Sequence, residues 1–341
     1  MSDELSLVRT AREYAPGLSL LVVGAGLARV AGSRVPGVNE LLVAIVIGVV
    51  LTNAIGLPTW MRRGVRTHNL WLGAGIVLMG ASLALDTIVE SGAVVVVSVL
   101  AVTLFTLVYV EALARVVFDL GERLGSLLAA GSSICGVSAV VAVAGSIEAK
   151  EEHLAYAAAT VLLFDAITLL AYPVIGRVLE LPAQVFGMWA GLSMFSTGPV
   201  VAVGFEHSNA AGQWATVTKL TRNALIGVVA VGYATYYARR RMDTDGSSSV
   251  QWRELWDRFP KFVLGFLALA LIASGGVFSA GQLVSMETAY GWLFLLAFVG
   301  LGTDLELQKL RCAGVRPVLV VLLAFATVSV VSLAGLRTVV G

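Results

Sequence analysis

Long apolar runs alternate with short polar breaks along almost the whole chain. Reading the runs between charged or Gly/Pro-rich breaks predicts helices near 17–33, 38–56, 69–89, 92–113, 124–148, 153–176, 182–205, 213–238, 259–278, 288–304 and 316–338. Most are about 20 residues long and apolar on every face, the length an α-helix needs to cross the hydrocarbon core. Barrel strands would be about 10 residues long and alternate in polarity. Only helices and closed barrels satisfy the backbone in lipid. The expected fold is an all-α polytopic membrane protein of about 11 transmembrane helices. Residues 1–16 read as a polar cytoplasmic N-terminal segment. Residues 17–341 read as a single transmembrane domain, with a solvated loop at 239–258 that ends in a short surface helix. A cleavable signal peptide ending near Ala28-Arg29-Val30-Ala31 is the alternative for the first run; the charge count below favours a retained helix.

Composition agrees with the pattern. Of 341 residues 58% are hydrophobic and 13% charged, about half the charged share of a soluble domain. The net charge of +1 gives no sign of a nucleic-acid partner. Cys135 and Cys312 lie far apart, which argues against a disulfide, and no metal-type spacing or cofactor motif is present. Lys and Arg divide unevenly between alternate breaks: 17 on the side of the N-terminus against 4 (Arg29, Arg34, Lys150 and Arg337) on the other. The positive-inside rule then sets the N-terminus in the cytoplasm and the C-terminus outside the inner membrane. Lys219 and Arg222 fit neither side, because they fall within the eighth run.

An internal similarity links residues 77–100 and 299–322. At an offset of 222, Gly80 meets Gly302, Leu83 meets Leu305, Leu85 meets Leu307 and Gly92 meets Gly314. The copies close the third and tenth runs, seven apart and so oppositely oriented. Inverted repeats of this kind are a common skeleton of secondary transporters; chance similarity among Leu/Val/Gly-rich helices is the bland reading.

Three places carry candidate chemistry. In the fifth run, GSSICGVSAVVAVAG (131–145) groups Ser132, Ser133, Cys135, Gly136 and Ser138. These residues suit an unwound segment whose following half-helix offers free N–H groups to an anion, or else a small-residue packing face. In the seventh run, Ser196-Thr197-Gly198-Pro199 predicts a kink or restart, because proline has no N–H and its ring clashes with the preceding turn. Ser196 or Thr197 can cap the new start, with Pro199 in its first turn. In the eighth run, Lys219, Arg222 and Asn223 lie about 9 to 15 Å deep at 1.5 Å per residue. Intramembrane charges need a partner. That partner is either a bound anion or Asp165, halfway along the sixth run, and the two are compatible.

These stretches together resemble a known family. GSSICGVSAVVAVAG, AYPVIG (171–176), FGMWAG (186–191), ATVTKLTRN (215–223) and GLGTDL (300–305) are similar, in order and spacing over roughly 40–335, to prokaryotic membrane proteins named by inference as sulfate exporters. That group is thought related to bile-acid/sodium symporters and cation/proton antiporters. The resemblance implies crossed broken helices and an exported inorganic or small organic anion. Where relatives carry a His-Asp-Thr-like run, this chain has Phe195, Ser196, Thr197, Gly198 and Pro199. Asp165 stands where relatives carry a small or neutral residue, so it is the candidate coupling residue or a neutraliser of Arg222.

The expectation is a secondary transporter for a small sulfate-like, organosulfur or carboxylate anion, coupled to protons or sodium, with no cofactor and no enzymatic activity. A homodimer is compatible with the sequence. No GxxxxGK[ST] motif points to ATP. An anion channel is the near alternative. An intramembrane serine protease using Ser138 is the distant one; it would need a base, and His68, His153 and His207 are all expected in loops or at helix ends.

Overall fold

The computed structural model describes residues 2–34, 40–82, 85–147, 149–242, 262–310 and 314–340. Among them there is no strand, and the protein is an all-α polytopic membrane protein. Five helical segments are long and apolar enough to cross a bilayer: Glu13–Gly32, Gly92–Val117, Glu151–Val178, Ala280–Asp304 and Val315–Val339. The short surface helix expected before residue 259, and Cys312, lie outside the described residues.

The helices are α1 (Ser2–Arg34), α2 (Glu40–Val50), α3 (Thr59–Val65), α4 (His68–Met79), α5 (Leu85–Ala112), α6 (Glu122–Ser133), α7 (Val137–Ile147), α8 (Glu151–Val178), α9 (Ala183–Ser193), α10 (Thr197–His207), α11 (Asn209–Asn223), α12 (Ile226–Met242), α13 (Phe262–Ser274), α14 (Ala280–Asp304), α15 (Leu307–Leu310) and α16 (Val315–Val339). Each of the eleven apolar runs corresponds to a helix or to two successive helices. The third, fifth, seventh and eighth are the broken ones: α5 starts at Leu85 inside the third run, and the break of the eighth, at Ala224-Leu225, has no proline or glycine to announce it.

Two compact units result, Met1–Asp86 with Phe262–Leu307 and Thr87–Lys261 with Gln308–Gly341. In the first, α2 and α14 approach until only glycine fits. A Cβ on Gly48 would lie 2.1 Å from the Val299 carbonyl oxygen, and one on Gly302 2.1 Å from that of Ile45. Small residues permit such backbone approach between membrane helices. Gly75 abuts Phe294 and Gly300 abuts His68, so α4 and α14 run antiparallel, as opposite orientations of the third and tenth runs require. His68 is not in a loop: it opens α4, is 3% exposed and meets Asp304 at 3.1 Å.

In the second unit the fifth and seventh runs are not single straight helices: each folds back on itself. A straight helix would separate residues nine apart by about 13 Å, yet a Cβ on Gly131 would lie 2.7 Å from Val140 Cγ2. The chain therefore folds back at 134–136, and α6 and α7 form a hairpin. Its start returns to the end where α8 begins, since Gly121, Glu122 and Arg123 line one cavity with His153, Tyr237 and Arg240. Arg240 also pairs with Glu122 at 2.5 Å. α9 and α10 make a second hairpin from the opposite end. Arg177 faces Glu206 at 3.7 Å, His207 Nε2 lies 3.1 Å from the Leu181 carbonyl, and the Phe186 and His207 rings stack at 4.1 Å. The intervening residues as one straight helix would hold these partners more than about 30 Å apart. Two helical hairpins thus enter the unit from opposite ends, while α8 and the α11–α12 pair traverse it. Irregular backbone at such depth is tolerated where protein buries it.

Candidate functional site

The hairpin tips meet. Gly136 turns the first tip with φ +67°, and a Cβ there would come 2.3 Å from Ser196 Oγ on the second tip. Only glycine combines that φ with that approach. Four helix ends therefore converge: the C-termini of α6 and α9, and the N-termini of α7 and α10.

The C-terminal ends are sealed by α11. Lys219 Nζ donates to Ile134 O at 2.7 Å and to Met194 O at 3.0 Å. Arg222 Nε donates to Ser133 O at 2.5 Å, Nη1 to Met194 O at 2.9 Å and Gly191 O at 3.4 Å, and Nη2 to Ser132 O. Both side chains have 0% exposure. The last carbonyls of a helix have no intrahelical partner and carry the negative end of its dipole, so a cation there satisfies both. At i and i+3 on one helix the two cations share a face, which is why one helix can cap two hairpins.

This corrects one reading of the charges. Among the described residues no ion pair joins Asp165 to Arg222 or Lys219. The cations' partners are backbone carbonyls, which no side-chain pattern displays. Asp165 does a complementary job: its Oδ1 accepts the Ser196 N–H at 3.0 Å, so a carboxylate sits at the positive start of α10. Ser196 is the N-cap residue, but its hydroxyl makes no capping bond; Pro199 lies in the first turn as expected.

The N-terminal side is the open one. Ser138 is exposed and Val137, Ser196 and Thr197 are partly exposed, whereas Ser132, Ser133, Cys135, Gly136 and Gly198 are buried. Thr197 and Gly198 open α10 with N–H groups that have no intrahelical acceptor. Asn223 Nδ2 donates to Thr197 Oγ1 at 3.0 Å. Around this junction Ser132 Oγ, Asp165 Oδ2, Thr218 Oγ1 and Asn223 Oδ1 are buried without a hydrogen-bond partner. Buried polar groups are nearly always bonded; of these four, Asp165 and Asn223 are tied to the start of α10, whereas Ser132 lies under Arg222 and Thr218 against Gly191, on the capped side. Phe195, by contrast, packs into an apolar ring cluster with Phe164 and Phe325. His153 and His207, tied to opposite ends of the unit, each lie about a half-helix from Ser138.

A second internal repeat went unread in the sequence. At an offset of 60, GSSICGVSAVVAV (131–143) overlays GLSMFSTGPVVAV (191–203), with Gly131, Ser133 and the Val140-Val141-Ala142-Val143 run matching Gly191, Ser193 and Val200-Val201-Ala202-Val203. Ile134 then matches Met194, and Lys219 bridges those two equivalent carbonyls. Thr218 was missed as well, having no signal beyond its place beside Lys219.

Comparison with known proteins places the chain in a family. The family described as Conserved hypothetical protein 698 matches residues 16–321. A UPF0324 membrane protein of Nitratidesulfovibrio vulgaris is 31% identical over 322 residues, covering 91% of this chain and 89% of that one. One of Bacillus cereus is 33% identical over 280 residues, covering 81% and 80%. A further N. vulgaris relative, 32% identical over 280 residues, is longer, and the chain spans 48% of it. With its hairpin tips, its apolar helices and these matches in view, the chain belongs to the UPF0324 family of membrane proteins.

Proposed function

We propose that the protein is a secondary transporter that binds a small anion at the meeting hairpin tips and carries it across the cytoplasmic membrane. The observation that carries this reading is the asymmetry of the junction. Both half-helix C-termini are closed by Lys219 and Arg222, while the starts of α7 and α10 carry the exposed Ser138 and the partly exposed Ser196 and Thr197, and Asp165 Oδ2 and Asn223 Oδ1, on side chains that bond the start of α10, have no partner. Helix N-termini favour anions through aligned N–H groups and the dipole, and discontinuous helices meeting at mid-depth are a recurrent substrate site of transporters. Ser138, Ser196, Thr197 and Gly198 are the groups placed to touch the solute. Lys219 and Arg222 supply positive potential from behind the tips and make no direct contact.

The substrate class is a small oxyanion or carboxylate; sulfate rests on the family resemblance alone. Uptake of labelled sulfate, sulfite, a short sulfonate and small carboxylates into proteoliposomes, with and without imposed proton or sodium gradients, tests the reading. Accumulation of at least one anion that Thr197→Val impairs is expected. Absence of uptake for the whole panel would reject it.

A further inference from the structure

Two ionic seats at the hairpin tips are already filled by the chain's own side chains. The first lies between the Ile134 and Met194 carbonyls. Carbonyl oxygens at half-helix C-termini are where broken-helix transporters hold a coupling sodium ion. Here the Lys219 ammonium occupies that position at 2.7 and 3.0 Å, a cation on a tether that leaves no vacancy for a free one. The second seat is the start of α10. Asp165 Oδ1 holds the Ser196 N–H, so a carboxylate stands where a bound anion would sit. An anion approaching Thr197 and Gly198 meets that negative charge in a buried setting, where repulsion is poorly screened.

One change relieves the conflict without dismantling the site. Asp165 is 1% exposed and its Oδ2 has no hydrogen-bond partner. A proton added at Oδ2 breaks no existing bond, leaves Oδ1 on Ser196, removes the negative charge and creates an O–H donor. The charged group acting on the carboxylate is Lys219 of α11. The α6–α7 tip contributes only the Cys135 thiol, α10 carries no charged residue between Thr197 and Phe205, and α16 none between Arg316 and Arg337. On α8 itself the next titratable group is Tyr172, bonded to Ser193 and Ser329. With Lys219 and Arg222 both bonded to carbonyls, Asp165 is the charged group of the junction with an oxygen left unbonded.

Resting on the anion-site reading above, we propose that Asp165 takes up a proton at Oδ2 as the anion binds, so that one proton travels with each anion and sodium is not required. The proton comes from the solvent with the anion and returns to solvent on release; no covalent step is involved.

The test uses the full-length protein in nanodiscs, with sodium and choline salts of sulfate, sulfite, methanesulfonate and acetate. Infrared spectroscopy is expected to show a carboxylic-acid C=O band that grows as the pH falls from about 8 to about 5 and is missing in Asp165→Asn. On the alkaline side of that titration, at least one anion is expected to bind about tenfold more tightly for each unit by which the pH is lowered, equally in sodium and choline. Asp165→Asn is expected to remain folded and bind with no pH slope. Binding without a pH slope, a slope that survives Asp165→Asn, or a sodium requirement would overturn the coupling while leaving the anion site. An Asp165 band with no anion bound at any pH would overturn the anion site, and the coupling with it. A titrating band untouched by Asp165→Asn, or none at all, would overturn the proton site itself.

Discussion

Arg222 shows what a buried charge does when no counter-ion is at hand. An intramembrane arginine costs about 2.5–3.5 kcal/mol even on insertion scales, and hydrogen bonds to a charged group return about 1.5–3 kcal/mol each. Its guanidinium reaches carbonyls of Ser132, Ser133, Gly191 and Met194, so the charge is satisfied by the helix ends it joins. Arg222→Ala is expected to lower stability by about 3 kcal/mol or more, read by thermal unfolding of the purified protein. Arg222→Lys should recover only part, because an ammonium cannot fork between two hairpins. Adding Asp165→Asn to Arg222→Gln should not restore stability, since Asp165 bonds Ser196 and not Arg222; full recovery would mean that the two are partners after all. Lys219→Met should weaken the same junction, orphaning the Ile134 and Met194 carbonyls, and its loss should add to that of Arg222→Ala by less than the sum because they share Met194.

At the scale of elements, helix positions and the two tip breaks were legible. Apolar length marks a membrane helix, and GSSICG and STGP each combine residues that a helix interior resists. What happens after the break was not legible. A kinked helix and a folded-back hairpin share the same residues at the bend; the choice lies in partners distant in sequence, here the two cations of α11 and the tight apposition of Gly131 with Val140. The 60-residue repeat was a local signal that two similar units enter oppositely, and it is hard to weigh against the background of Val- and Ala-rich helices. Of the candidate site, Lys219, Arg222, Asp165 and the small residues of both tips do come together, but in capping roles that no residue-type pattern specifies. Gly136→Ala tests the tip. It forces a side chain into φ +67° and toward Ser196 Oγ at 2.3 Å, and should cost about 1–3 kcal/mol. Gly232→Ala in α12, where a Cβ meets nothing within 4 Å, should be neutral or stabilise by up to about 1 kcal/mol. Equal effects from the two changes would mean that the tips do not touch.

For the whole molecule, the hairpins change which segments are expected to cross the membrane and leave the expected sides of the two ends as they were. With eleven crossings, Lys150 falls outside and Arg177 inside. With the fifth and seventh runs folded back, α8 reverses direction and the two residues exchange sides. One basic residue moves each way, so the balance stays at 17 to 4 and the positive-inside rule cannot distinguish the topologies. A consistent charge count therefore does not fix the number of crossings. Direct labelling does distinguish them. Lys150 and Glu180 are both exposed, in the breaks that flank α8, and single cysteines there can be probed in a background where Cys312 is replaced and the buried Cys135 is left in place. A membrane-impermeant thiol reagent applied to intact cells is expected to label position 180 and not position 150. Inverted vesicles should give the opposite result. Position 246 should label from the cytoplasm and position 339 from outside in either topology, so they serve as controls for sidedness. Labelling of 150 from outside and 180 from inside would restore eleven crossings and remove the hairpins. The convergence of α7 and α10 N-termini requires the hairpins, so that result would also remove the anion site built on it.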